Sequence, residues 1–304
     1  MIKKSVAAVA ALTISATALL TACGTESSET TQPAVTAVQT GQRADVNGLD
    51  MYYEVHGERN GKPPVVLLHG ALSGIQTDFG ELIPTLSQTR QVIAVEQQAH
   101  GHTADIDHPL RTNTMADDTA ALLRKIGVEK ADIFGYSMGA GVALDLGVRY
   151  PNLVNKLVLL SVGLSAAGLH PGTLEGIQSL QPEMLHGSPF HTDYLANAPR
   201  PQDFPTLVAK IKDMDANVPT FPEESVRAMK SPVLNIIGDS DIVTPEHAVA
   251  IFRLLGGGIM GDTPAGLPNS QLAIIPGASH VSVMHRPDLL GDMVPAFLDK
   301  EVKQ

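Results

Sequence analysis

The chain has 304 residues, 43% of them hydrophobic and 17% charged, with a formal net charge of −11, a single cysteine and no tryptophan. That length suits one large domain or two small ones, and the apolar content is enough for a sizeable core, so wholesale disorder is excluded. The acidic balance disfavours nucleic acid as a partner, and the scarcity of aromatic rings argues against a sugar-stacking surface.

The first element is not part of the fold. Lys3 and Lys4 form a basic start, Ser5 to Leu20 is an unbroken apolar and small-residue run, and Leu20-Thr21-Ala22-Cys23 follows. This order describes a secretory signal, not a spanning helix. Its end resembles a bacterial lipobox, which implies cleavage after residue 22, lipidation of Cys23 and a membrane-anchored exported protein. Cleavage removes two lysines and no acids, taking the net charge from −11 to −13. Cys23 has no intramolecular disulfide partner, being the only cysteine. Residues 24–42, "GTESSETTQPAVTAVQTGQ", are rich in Ser, Thr, Glu and Gln and read as a tether, so the folded domain is expected over 43–304. No interior run reads as a transmembrane helix, and no repeat with a period of roughly 20–50 residues is present.

Short apolar runs then alternate with helical patterns. "MYYEV" (51–55), "VVLL" (65–68), "QVIAV" (91–95), "ADIF" (131–134), "KLVLLS" (156–161), "PVLNIIG" (232–238) and "QLAIIPG" (271–277) predict strands. Near-continuous apolar runs of this length suit strands covered on both faces. Helices are predicted over 114–127, 138–150, 245–255 and 287–300, with Pro151, Pro245 and Pro287 as punctuation. The alternation implies a mostly parallel sheet with helices on both sides. Residues 165–230 break the rhythm with eight prolines and scattered Met184, Phe190, Tyr194, Phe204, Met214 and Phe221, and predict an inserted cap of short helices and loops. The Gly- and Pro-rich stretch 256–270 predicts a loop before "QLAIIPG".

Chemistry concentrates where strands end. Gly135-Tyr136-Ser137-Met138-Gly139 matches G-x-S-x-G between a predicted strand and a predicted helix, the setting of a nucleophile elbow. A serine hydroxyl is a weak nucleophile and needs a base, itself oriented by a third group. Asp239-Ser240-Asp241 follows "PVLNIIG", and Ala278-Ser279-His280 follows "QLAIIPG". The chain order Ser, Asp, His is the hydrolase order, not that of the two common serine-protease folds.

On these motifs residues 43–300 resemble the α/β-hydrolase superfamily. "VLLHG" (66–70) resembles the family's strand and oxyanion loop; "VIAVEQQAHGHT" (92–103) its V-x-A-x-D-x-R-G-H-G-x-S stretch; "IIGDSDIVTP" (236–245) its acid loop; "PGASHVSVMHRP" (276–287) its histidine loop. The resemblance implies an eight-stranded α/β-hydrolase fold with a cap. It also implies Ser137 as nucleophile, His280 as base and Asp241 as acid, with the N–H groups of Met138 and Ala71 as oxyanion donors. Leu72 and Tyr136 are substrate-contact candidates. No cofactor and no metal are expected. Glu96, Gln98, Ala99 and Thr103 depart from the family's Asp, Arg, Gly and Ser, which blurs the subfamily. The E-Q-Q-x-H-G-H-T variant resembles a branch that includes macrolide esterases.

Rival residues have ordinary readings. Asp239 competes as acid but suits a loop cap, His285 reads as a surface residue, and His69 as a structural histidine beside the oxyanion loop. His100, His102 and His108 lack a carboxylate or cysteine at zinc-like spacing. A serine nucleophile and the Pro-rich apolar cap together point to a carboxylic-ester hydrolase acting on a small hydrophobic ester or lactone. The competing readings are a cofactor-free haloperoxidase or C–C bond hydrolase on the same triad, a peptidase, and a surface-anchored binding protein that kept only the fold.

Overall fold

The computed structural model describes residues 39–302; the expected signal segment, Cys23 and the start of the tether lie outside the described residues. Eight strands form one sheet: β1 (Gln39–Val46), β2 (Leu49–His56), β3 (Val65–Leu68), β4 (Val92–Val95), β5 (Ala131–Tyr136), β6 (Val154–Leu160), β7 (Val233–Ser240) and β8 (Gln271–Ser279). Their spatial order is β1-β2-β4-β3-β5-β6-β7-β8. The pairs β1–β2 and β2–β4 are antiparallel, and every later pair is parallel.

The parallel strands are apolar throughout because both faces are covered, and their pleat divides them between two cores. Val66, Leu68, Ile93, Val95 and Ile133 enter one buried cluster. Val65, Leu67, Val92, Ala94 and Phe134, one position out of phase, enter the other. Helices α3 (Thr112–Lys125) and α4 (Met138–Arg149) fill the first side. Helices α1 (Ile75–Phe79), α2 (Ile83–Leu86) and, at the chain's far end, α10 (Pro287–Asp299) fill the second.

The first strand was not among the expected runs. β1 reads "QTGQRADV", an edge strand with little apolar signal, and it starts at Gln39, four residues inside the stretch expected as tether. Antiparallel pairing with β2 accounts for it, since an edge strand needs backbone partners and not a hydrophobic face.

Between β6 and β7 lie α5 (Thr173–Ser179), α6 (Pro189–Asn197), α7 (Phe204–Ala216) and α8 (Glu223–Arg227), with short 3-10 turns between them. Proline at the first turn of α6 and of α7 starts these helices without losing a backbone bond. Tyr194, Phe204, Leu207, Val208, Ile211 and Phe221 join the cluster that also holds β5 and α4 residues. Helix α9 (Pro245–Leu254) then follows β7, and the stretch 256–270 contains neither helix nor strand.

Candidate active site

The loops after β3, β5, β7 and β8 all leave the carboxyl ends of parallel strands, the edge where open α/β sheets bind ligands. Ser137 sits between β5 and α4 at φ 53° and ψ −115°, a conformation that costs a non-glycine residue about 1–3 kcal/mol. The flanking glycines make that turn sterically feasible. A Cβ on Gly135 would lie 2.1 Å from the Gly139 carbonyl oxygen, and one on Gly139 would lie 2.1 Å from the Leu68 carbonyl oxygen.

The three distant residues meet. Ser137 Oγ is 2.9 Å from His280 Nε2. His280 Nδ1 is 2.8 Å from Asp241 Oδ1. An ionised carboxylate only accepts, so Nδ1 carries the proton and Nε2 is left to accept from the serine hydroxyl. Burial alone would raise the Asp241 carboxyl. The hydrogen bond and charge of His280, the Ser161 hydroxyl and the Val243 N–H outweigh burial and hold it below the ordinary carboxylate range. Ser161, just after β6 at φ 61°, donates to Asp241 Oδ2. Nothing in its local sequence marks it.

Asp239 points elsewhere. Its oxygens accept from the Gly277 (2.9 Å) and Ala278 (3.3 Å) N–H groups, pinning the end of β7 to β8. His285 is exposed.

Helix α4 begins at Met138, so the Met138 N–H has no helical acceptor and projects at the positive end of the helix. The Ala71 N–H donates to no acceptor among the described residues. Its loop is held from beneath. Asp78 accepts from the Gly70 N–H (2.7 Å) and from the Ser73 hydroxyl (2.5 Å). His100 Nε2 accepts from the Leu72 N–H at 3.2 Å. Burial drives the His100 pKa down to about 3, so the neutral ring that this bond requires persists at all ordinary pH. His69 Nε2 accepts from the Gln97 N–H at 3.1 Å, and its other nitrogen faces the Gly70 carbonyl. Both histidines are scaffolding. Among the described residues, no group of three or more His, Cys, Asp or Glu side chains is arranged to hold a metal ion.

The departures in the second motif keep its bracing function. Glu96 takes the place of the family aspartate and accepts from the His102 backbone N–H and ring. Thr103 Oγ1 donates to the Glu96 carbonyl (2.9 Å) and accepts from the Tyr52 N–H (3.0 Å). Gln98 reaches Asp105 Oδ1 (2.8 Å) and the His108 carbonyl (2.9 Å), holding the loop that follows.

A cavity surrounds Ser137 in two limbs. One, of about 450 Å³, is lined by Ala71, Leu72, Tyr136, Ile177, Leu180 and Phe190 among others. The other, of about 120 Å³, runs past Val162, Leu169, Leu174, Val218 and Phe221. Ser137, Met138, Met214, Asp215 and His280 line both. Leu72 and Tyr136 thus face the space beside the serine, and the Tyr136 hydroxyl also donates to the His280 carbonyl at 2.9 Å. Met214 and Phe221, expected as cap core, are buried and also line the cavity. Asp215, on α7, had no signal in the sequence beyond its position in the cap.

The fold that carries these residues is borne out by comparison. A family model described as the alpha/beta hydrolase fold matches residues 63–209. The putative carbamate hydrolase RutD of Agrobacterium fabrum is 22% identical over 275 residues, covering 82% of this chain and 98% of its own. The sn-1-specific diacylglycerol lipase ABHD11 of Mus musculus is 25% identical over 289 residues, covering 84% and 88%. Among solved structures, the meta-cleavage product hydrolase from Pseudomonas fluorescens superposes with a TM-score of 0.68 at 19% identity, covering 86% of this chain and 98% of that one. This chain has the α/β-hydrolase fold.

Proposed function

We propose that the protein is a carboxylic-ester hydrolase working through an acyl-enzyme, with Ser137 as nucleophile, His280 as base and Asp241 as its orienting acid. One observation carries this reading: an unbroken Ser137–His280–Asp241 hydrogen-bond chain at the junction of a two-limbed apolar cavity. In the first half-reaction Ser137 Oγ adds to the ester carbonyl carbon while His280 Nε2 takes its proton. The oxyanion develops beside the Met138 and Ala71 N–H groups, where each preorganised donor contributes about 3–4 kcal/mol in the transition state. Collapse expels the alcohol, protonated by His280. Water then adds to the acyl-enzyme with His280 again as base, and the acid leaves with Ser137 regenerated. Asp241 keeps the imidazole tautomer correct and stabilises the imidazolium without taking its proton.

Two limbs meeting at the serine suit a substrate with an apolar group on each side of the ester bond. Lactones, including macrolide lactones, fall within that description. We assign the lipobox resemblance the same standing: an exported enzyme tethered to a membrane through Cys23.

The test is labelling of residues 24–304 by a fluorophosphonate probe. Labelling is expected in the wild type and absent from both Ser137→Ala and His280→Ala. An ester and lactone panel including macrolides, run beside a peptide panel, then defines the substrate. A folded wild-type protein that takes no label would sink the hydrolase reading in favour of a binding protein.

A further inference from the structure

Asp215 is a carboxylate whose surroundings do not explain it. It lines both limbs of the cavity from cap helix α7, with Met214, Ile177 and Ile242 and, in the smaller limb, Val218 and Phe221, among mostly apolar residues that also include the hydroxyls of Ser165 and Thr173. Among the described residues no side chain or backbone N–H donates to it, and no Lys or Arg pairs with it. Among the described residues, Asp215 and His280 are the only Asp, Glu, Lys, Arg or His side chains lining the cavity. His280 is already committed, through Nδ1 to Asp241 and through Nε2 to Ser137. An unpaired carboxylate in an apolar setting is destabilising, and a site of that kind persists where a ligand supplies the partner.

From this placement we infer that Asp215 is the specificity-determining residue of the site, selecting esters that carry a protonated or quaternary amine in the part of the substrate held under the cap. This rests on the ester-hydrolase reading above. Charge complementarity decides between ligand classes. A hydroxyl would offer Asp215 one neutral hydrogen bond, whereas an ammonium neutralises its charge, and charged hydrogen bonds are roughly twice as strong. Phe221 lines the same limb, and an aromatic ring there attracts N-methyl cations. Carboxylate- or phosphate-bearing esters meet a like charge and no lysine or arginine, and are selected against. Burial lifts the Asp215 pKa to about 6, opposed by the charge of His280, so the side chain is ionised at neutral pH and ready to pair.

The experiment compares three nitrophenyl esters of equal length whose acyl chains end in trimethylammonium, tert-butyl or carboxylate, on the wild type and on Asp215→Asn. In the wild type the trimethylammonium ester is expected to exceed the tert-butyl ester about tenfold in kcat/KM, through a lower KM, with the carboxylate ester poorest. In Asp215→Asn that ratio falls to about one. A ratio near one in the wild type overturns the inference. So does an equal loss on all three esters with the ratio kept, which would make Asp215 a positioning residue for the His280 imidazolium. A second measurement uses the wild type alone: protection of Ser137 from the fluorophosphonate by an alkyltrimethylammonium ion, against the matched neutral alkane derivative. Labelling without selective protection overturns the inference and leaves the hydrolase reading standing, whereas no labelling at all removes both.

Discussion

Two aspartates near His280 show how environment sets the role of one residue type. Asp241 is buried yet held below the ordinary carboxylate range, because His280, Ser161 and the Val243 N–H all stabilise the charge. Asp215 is raised to about 6, because burial acts on it and only the charge of His280 opposes. The consequence for stability has a definite sign. An acid with a folded pKa above its unfolded value of about 3.9 binds its proton more tightly when folded. Stability therefore falls as pH rises from about 4 through about 6, and the loss is complete above that window. Asp215→Asn cannot ionise, so it is expected to be more stable than wild type by about 1–3 kcal/mol at pH 7.5 and nearly equal to it near pH 3, below both pKa values. Urea unfolding at the two pH values measures this. A variant less stable at pH 7.5 would mean that the carboxylate is compensated in the free protein.

At the scale of elements, the elbow binds strand, turn and helix into one unit with no spare space. Gly139 lies in the first turn of α4 and packs on the end of β3, where an added Cβ would also sit 2.6 Å from the His69 carbonyl oxygen. Both clashing atoms are backbone, so no side chain can yield. Gly139→Ala is expected to destabilise the protein by about 1–3 kcal/mol or more and to lower activity further, since the displaced strand end carries the oxyanion loop. Urea unfolding and probe-labelling rate together test both parts; an alanine variant with wild-type values in each would mean that the turn is looser than its geometry indicates. This unit was legible in the sequence because its constraints are local: two glycines at fixed offsets, an apolar strand before and a helical pattern after. The runs "VVLL" and "PVLNIIG" were legible for a related reason, burial on both faces leaving no polar position. By contrast β1 is held by backbone pairing, and α1 and α2 are too short for a periodic pattern. Ser161 gains its role only by a contact across the fold, and Asp215 only by where the cap helix places it. Ser161 lies 80 residues from the aspartate it supports.

For the whole molecule, the cap and the sheet share one core, so the cavity is walled by two parts of the chain that fold together. Lys210 on α7 reaches Asp105 Oδ1 (2.7 Å) and the Ile106 and His108 carbonyls (2.8 Å each), the same three acceptors that Gln98 engages from the body. The departure from the family's arginine at position 98 is thus accompanied by a cationic brace from the cap. How this body meets a membrane is a separate matter. Among the described residues no helix is long and apolar enough to cross one. The attachment proposed above is through a lipid on Cys23, joined to β1 by residues 24–38, a stretch that even fully extended spans no more than about 55 Å. Several acyl chains make such an anchor stable, at about 0.8 kcal/mol for each buried methylene. Expressed as residues 1–304 in a bacterial host, Cys23→Ser is therefore expected to lose incorporation of an alkyne-tagged palmitate analogue. It should also move from the membrane fraction to the soluble exported fraction, with Ser137 still taking the fluorophosphonate. Retention of the variant in the membrane fraction would show that something other than the lipid holds the enzyme there, and the exposed Ile259, Met260 and Leu267 of the 256–270 loop would then be the surface to mutate next.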